Sequence, residues 1–238
     1  MIEIFYWTSA NAQKVMMFLE ETGIPFRITP TNVENGEQFL PEFADRFPNS
    51  KIPAIIDHNP TDGGEPIPLF ESGAILLYLA DKTQQFLSPE PRKRLVTTQW
   101  LFWQMAGLGP IGGQAVHFRN YAPYPIEYAL QRYGKENDRL IGVLDRRLEG
   151  RDFIVDDYSI ADMACWPWIK SHNRRGQIDM AQFPNVKRWF EAIEARPATT
   201  RAYEHIARVL DKPLVSNHSQ MSVESRRIMF GSHAVVDQ

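Results

Sequence analysis

The sequence predicts two domains of different class, an N-terminal α/β unit and a C-terminal all-helical one. Three observations support this. Strand-like runs of β-branched and aromatic residues occur in the first third of the chain, and beyond about residue 92 the apolar spacing turns helical. Between these regions, Gln84 to Pro91 carries two prolines and little periodicity. The expected division is residues 1–83, a linker at 84–91, a helical domain at 92–210 and a polar tail at 211–238.

Each element has a local reason. Residues 3–7 (Glu-Ile-Phe-Tyr-Trp) have strand composition. Residues 11–22 switch to helical spacing: Val15, Phe18, Leu19 and Thr22 share a face, and Gly23 stands where a C-cap belongs. Residues 26–29 read as a second strand. A polar stretch follows, in which Phe39, Leu40 and Phe43 suggest a loosely packed helical turn. Residues 54–57 and 67–70 read as strands joined by the turn formers Asn59-Pro60-Thr61-Asp62-Gly63-Gly64. Residues 72–81 form the closing helix. The order βαβ–α–ββα, with a four-stranded mixed sheet, is that of a thioredoxin-like domain.

Beyond the linker, helices are expected over 92–114, 126–148, 159–170, 184–195 and 198–209, with prolines at their boundaries. Pro110, among Gly109, Gly112 and Gly113, should end or kink the first of them. Five of the six tryptophans lie in this half, mostly at helical spacing, and are read as core. Ser159 and Asp162 suit a capping box. Residues 211–238 lose periodicity and turn polar, as a mobile or partner-covering tail would.

Composition excludes several classes. Hydrophobic and charged contents of 43% and 23% are those of an ordinary soluble globular protein. A net charge of −3 argues against a nucleic-acid footprint. No apolar run approaches a membrane span, and the N-terminus lacks a basic-then-apolar signal pattern. A single cysteine rules out an internal disulfide framework and fits a reducing cytoplasm. His58, His117 and His172 are too scattered for a metal site.

The most telling stretch is Ser50-Lys51-Ile52-Pro53-Ala54, followed by Phe70-Glu71-Ser72-Gly73-Ala74-Ile75. Pro53 cannot donate a backbone N–H, so a peptide alongside could pair with the main chain of Ile52. Ser72, as N-cap, opens a helix whose free N–H groups and positive dipole end attract a carboxylate. Glu71 supplies a negative charge for an ammonium group. Each piece alone is ordinary structure; their order suits a small zwitterionic peptide.

That order resembles the glutathione-binding arrangement of the cytosolic glutathione transferase superfamily, most like its nu-class group of glutathione-dependent disulfide-bond oxidoreductases. Asp62-Gly63-Gly64-Glu65-Pro66, Gln99-Trp100-Leu101-Phe102-Trp103-Gln104 and Ser159-Ile160-Ala161-Asp162-Met163-Ala164-Cys165-Trp166-Pro167-Trp168 extend the likeness over about residues 1 to 208. The resemblance implies that the loop Thr8-Ser9-Ala10-Asn11 faces the sulfur of bound glutathione. The nu-class loop typically reads Thr-Pro-Asn. Ser9-Ala10-Asn11 keeps the hydroxyl and the amide but loses the proline, and Thr8 adds a second hydroxyl. Either Thr8 or Ser9 therefore points at the thiol; from the residues alone, Ser9 or Asn11 is also a normal helix N-cap.

A free thiol titrates at about 8.5, so at neutral pH only a few per cent is thiolate. A hydrogen bond to an ionised group contributes about 1.5–3 kcal/mol, so one or two neutral donors and a helix N-terminus suffice to make thiolate dominant. No general base and no metal are needed. The resemblance further implies that Ile52 pairs with the cysteinyl unit, Glu71 and Ser72 hold the γ-glutamyl head, Gln38 and Lys51 meet the glycine carboxylate, and Arg132 reaches glutathione from the helical domain. Cys165 has no partner cysteine and lies on an apolar helical face, so it is read as core.

The expected function is disulfide reduction by bound glutathione thiolate, without a catalytic protein cysteine, in a cytoplasmic homodimer. The partners are glutathione or glutathione disulfide and a small-molecule disulfide or electrophile. The alternatives are conjugation of an electrophile held by Phe118, Tyr121 or neighbouring aromatics, and a non-catalytic glutathione-binding regulatory or interaction module.

Overall fold

The computed structural model describes residues 1–210 and 221–231. Strand β1 (Ile2–Tyr6) is buried along its whole length because it is an inner strand of a four-stranded mixed sheet. The sheet order is β2-β1-β3-β4: β2 (Phe26–Pro30) runs parallel to β1, while β3 (Ala54–Asp57) and β4 (Ile67–Phe70) are antiparallel additions. The parallel pair needs a crossover, which α1 (Ala10–Thr22) supplies. Ser9 caps α1, its Oγ accepting the Ala12 N–H at 3.0 Å, and Gly23 closes it in the left-handed region at φ 65°.

The sequence pattern gives α1 one apolar face, but every residue from Ala12 to Leu19 is buried. The helix packs against α3 (Ser72–Thr83) in its own domain and against α7 (Ile160–Arg174) and α9 (Pro197–Val209) of the other. One core cluster therefore runs from Ile2, Ile4 and Phe18 through Leu76 and Leu79 to Leu144, Trp166, Trp189 and Ile193. The stretch expected to be loosely packed divides. Phe39 and Leu40 are exposed, while Phe43, on the short α2 (Pro41–Ala44), joins Phe5, Phe47, Ala54 and Ile56 in a second core.

The helical part begins with α4 (Pro91–Trp103), which passes through a π-helical turn at Gln104–Leu108 into α5 (Gly109–Asn120). The chain thus continues beyond Pro110 rather than stopping there. The widened turn precedes the proline, whose missing N–H cannot continue the ladder. α6 (Glu127–Arg147) and α8 (Pro184–Glu194) complete the bundle with α7 and α9. α7 extends to Arg174 and contains Pro167, so not every proline in this half marks a boundary. The capping box is present: Asp162 accepts the Ser159 N–H at 3.0 Å, and also the indole N–H of Trp189 at 2.9 Å. Trp166 and Trp189 are fully buried; Trp100, Trp103 and Trp168 are half-buried.

Of the expected tail, residues 211–220 and 232–238 lie outside the described residues. The intervening segment is not aperiodic: it forms α10 (Val223–Phe230), capped by Ser222. Phe230 stacks edge-on to His117 at 4.8 Å and lies 5.6 Å from Tyr121, while Ile228 packs against Gly36. Among the described residues, no helix is long and apolar enough to cross a membrane.

Candidate functional site

A groove opens at the end of the sheet where the loops before α1, β3 and α3 converge. Asn11, Asn49, Lys51, Ile52, Pro53, Phe70, Glu71 and Ser72 line it. The Ile52–Pro53 peptide bond is cis. Ile52 precedes β3, and among the described residues its backbone N–H and C=O form no hydrogen bond, which leaves both groups for an extended ligand.

Glu71, not Ser72, is the N-cap of α3, and it makes no side-chain cap bond. Its φ of 68° is unusual for a residue with a side chain. It places Ser72 as the first helical residue, 3% exposed, at the positive end of the helix. Ser72 Oγ is occupied from behind, accepting from Lys14 Nζ at 3.3 Å. Asn49, which no sequence signal singled out, donates to Glu71 Oε1 at 3.2 Å.

Lys14 is the second residue that sequence reasoning missed. It is 1% exposed and also donates to Gln104 Oε1 in the π turn, with Met105 Sδ at 3.4 Å. Burial pulls its pKa down to about 7, against the opposing pull of Cys165 and Glu71. Gly73 allows this packing: a Cβ there would come within 2.9 Å of Met105 Cγ.

Asn11 lies on the first turn of α1, and its Oδ1 accepts the indole N–H of Trp168 at 3.0 Å. Thr8 and Ser9 are not in the groove's lining. They line a neighbouring cavity of about 220 Å³ that Tyr121, Arg174, Arg175 and Met229 of α10 also border. Ser9 Oγ accepts as N-cap, which leaves its hydroxyl hydrogen able to donate. The loop 8–11 therefore stands between the two hollows. Of the aromatics expected to hold an electrophile, Tyr121 borders this cavity, while Phe118 stacks on Tyr133 at 5.4 Å.

The other expected contacts are less convergent. Gln38 is buried, its Nε2 directed to the Val33 carbonyl at 3.4 Å and its Oε1 without a hydrogen-bond partner among the described residues. Lys51 is exposed at the groove's edge. Arg132 lies on α6 with its guanidinium 4.0 Å from Glu136, outside the groove lining. Cys165 is fully buried, and burial pushes its thiol well above the ordinary range. Among the described residues, no group of three or more His, Cys, Asp or Glu is placed to hold a metal ion.

A thioredoxin-like sheet with a groove at its end, joined to a helical bundle through α1, defines a two-domain class of protein. The model of the glutathione S-transferase N-terminal domain matches residues 3–81, and that of its C-terminal domain matches 121–197. The chain belongs to the glutathione S-transferase family. It is 52% identical over 203 residues to the disulfide-bond oxidoreductase YfcG of Escherichia coli, spanning 85% of this chain and 94% of the relative. Its fold superposes on a Burkholderia graminis glutathione transferase with two glutathione molecules bound per subunit (TM-score 0.82, 42% identity, 85% and 87% of the two chains). It also superposes on a Pseudomonas putida glutathione transferase with one glutathione disulfide bound per subunit (TM-score 0.81, 40% identity, 84% and 90%).

Proposed function

We propose that the protein is a glutathione-dependent disulfide reductase in which bound glutathione supplies the reactive sulfur. The observation that carries this reading is the sealing of Cys165 in the core, outside the lining of the groove at Asn11, Ile52, Glu71 and Ser72. A sulfur nucleophile must then come from the ligand. The names of YfcG and of the glutathione- and glutathione disulfide-bound relatives support it.

In this reading Ile52 pairs with the cysteinyl backbone, while Glu71 and Ser72 hold the ammonium and carboxylate of the γ-glutamyl head. Gln38 and Lys51 serve the glycine carboxylate. Asn11, with Thr8 or Ser9, donates to the sulfur. The thiolate attacks one sulfur of a small disulfide, forming a mixed disulfide and releasing the other half as thiolate. A second glutathione thiolate attacks the glutathione sulfur of that mixed disulfide. Glutathione disulfide forms, and the second substrate thiolate leaves; protons lost by the two glutathione thiols neutralise the two released thiolates. The cavity beside Ser9, which Arg174 and Glu34 border, offers space for the second reactant. The likeness also supports a nu-class assignment, a cytoplasmic homodimer and a ligand contact for Arg132.

The test compares turnover of a glutathione-reducible disulfide with that of a chlorinated nitroaromatic. Faster disulfide reduction supports the proposal. Faster conjugation reverses it in favour of a transferase, and inactivity with both favours a binding module.

A further inference from the structure

Asn11 can serve a thiolate only if the right end of its amide faces the sulfur. The NH₂ end stabilises negative charge, whereas the carbonyl end repels it. The only hydrogen bond of the Asn11 side chain among the described residues runs to Oδ1 from Trp168 Nε1, at 3.0 Å. An indole N–H is a donor and nothing else, so this bond fixes which end of the amide is turned inward and leaves the NH₂ to the groove that Asn11 lines. We infer that Trp168 is a positioning residue of the thiolate site, contributed by the helical domain to hold Asn11 in its donating orientation. The inference rests on the reading of Asn11 as a sulfur donor.

The ring packs against a glycine-lined face of α5. Gly109, Gly112 and Gly113 recur at helical spacing and face the indole. A Cβ at Gly112 would lie 3.2 Å from Trp168 Cε3 and 2.6 Å from His172 Nε2, and one at Gly109 or Gly113 would lie 3.5 Å from the indole. A side chain at Gly112 would crowd the ring and His172, whereas at Gly109 and Gly113 the indole lies at ordinary contact distance. The glycine cluster of α5, the indole of α7 and the amide of α1 thus form one stack, joining residues 157 positions apart.

Trp168→Phe keeps an aromatic ring and removes the donor. Ultraviolet titration of the enzyme–glutathione complex should show the bound thiol pKa raised by about one unit. At about pH 6.5 kcat should fall five- to tenfold, with recovery above about pH 9, while KM for glutathione stays within about twofold because its other contacts are intact. In an Asn11→Ala background, Trp168→Phe should shift the titration no further. If Asn11→Ala raises the thiol pKa and Trp168→Phe does not, or if the two shifts add, the positioning role is overturned and the donor reading stands. If Asn11→Ala itself leaves the titration unmoved, the donor reading falls and this inference with it. Should Trp168→Phe not fold, a site-specific benzothienylalanine at position 168, with sulfur in place of the N–H, permits the same comparison.

Discussion

The Lys14 ammonium sits among Ser72, Gln104 and Met105, with no carboxylate within ion-pair distance among the described residues. Its folded pKa lies near 7 because burial penalises the charge, whereas the unfolded chain keeps the ordinary value of 10.5. Between those values the unfolded state binds the extra proton, so this residue makes stability rise with pH from about 7 to about 10. Below that window the folded protein bears the full cost of a buried charge. Lys14→Met should abolish the rise, and denaturant titrations at about pH 6.5 and 9.5 should show the gap between variant and wild type changing by on the order of 2 kcal/mol. A gap that is the same at both pH values would contradict the assignment. Lys14 was not legible in the sequence, because its burial is imposed by partners 58 and 90 residues away. Asn11 and Ile52 both line the groove; Pro53 marked Ile52 locally, whereas Asn11 was singled out by the family resemblance and read locally as a helix cap. At the same scale, Asn11→Ala should lower disulfide turnover at least tenfold. Equal activity of variant and wild type in a saturating-glutathione assay would count against it.

Elements with a local signature were read close to their true bounds: the strands, the Ser159–Asp162 box and the Gly23 stop all follow from short-range chemistry. Elements whose limits depend on packing were not. Helix α7 runs four residues past its expected end because His172 is buried against α5, and α10 exists in a segment whose pattern is polar. Glu71, not Ser72, caps α3, and the Ser72 hydroxyl instead meets Lys14 in a tertiary contact. The α5 glycines give a test of opposite signs. Gly112→Ala forces its methyl into His172 and Trp168 and should destabilise by about 2 kcal/mol or more. Gly113→Ala meets only ordinary contact and should gain up to about 1 kcal/mol from helix propensity. Thermal melts showing the same direction for both would refute the stack.

Across the whole molecule, α1 belongs to both domains at once. Its core face is shared with α3, α7 and α9, and its C-terminal turn is tied to α9: Glu20 pairs with Arg201 and His205 at 2.7 Å each, and Glu21 Oε2 accepts from Arg196 Nη2 at 3.0 Å. Pulling the halves apart would expose the apolar surface of α1 that α7 and α9 cover, at about 25 cal/mol per Å². Calorimetry should therefore record one cooperative transition, coincident for probes in either half; two separated transitions would contradict the shared core. The division into a sheet half and a helical half was visible in the sequence, but their fusion through one helix was not. An all-round buried helix looks amphipathic while its second neighbour is unknown.

Joining these scales is the claim that the reacting sulfur belongs to the ligand. Its most direct test is a cysteine-free enzyme, Cys165→Ala, assayed on a small disulfide at saturating glutathione, with intact-mass analysis of the quenched protein. Turnover within about twofold of wild type, with no glutathione adduct on either protein, is the predicted result. A loss of tenfold or more in a variant that remains folded, or a glutathionylated Cys165 in the working wild-type enzyme, would contradict it.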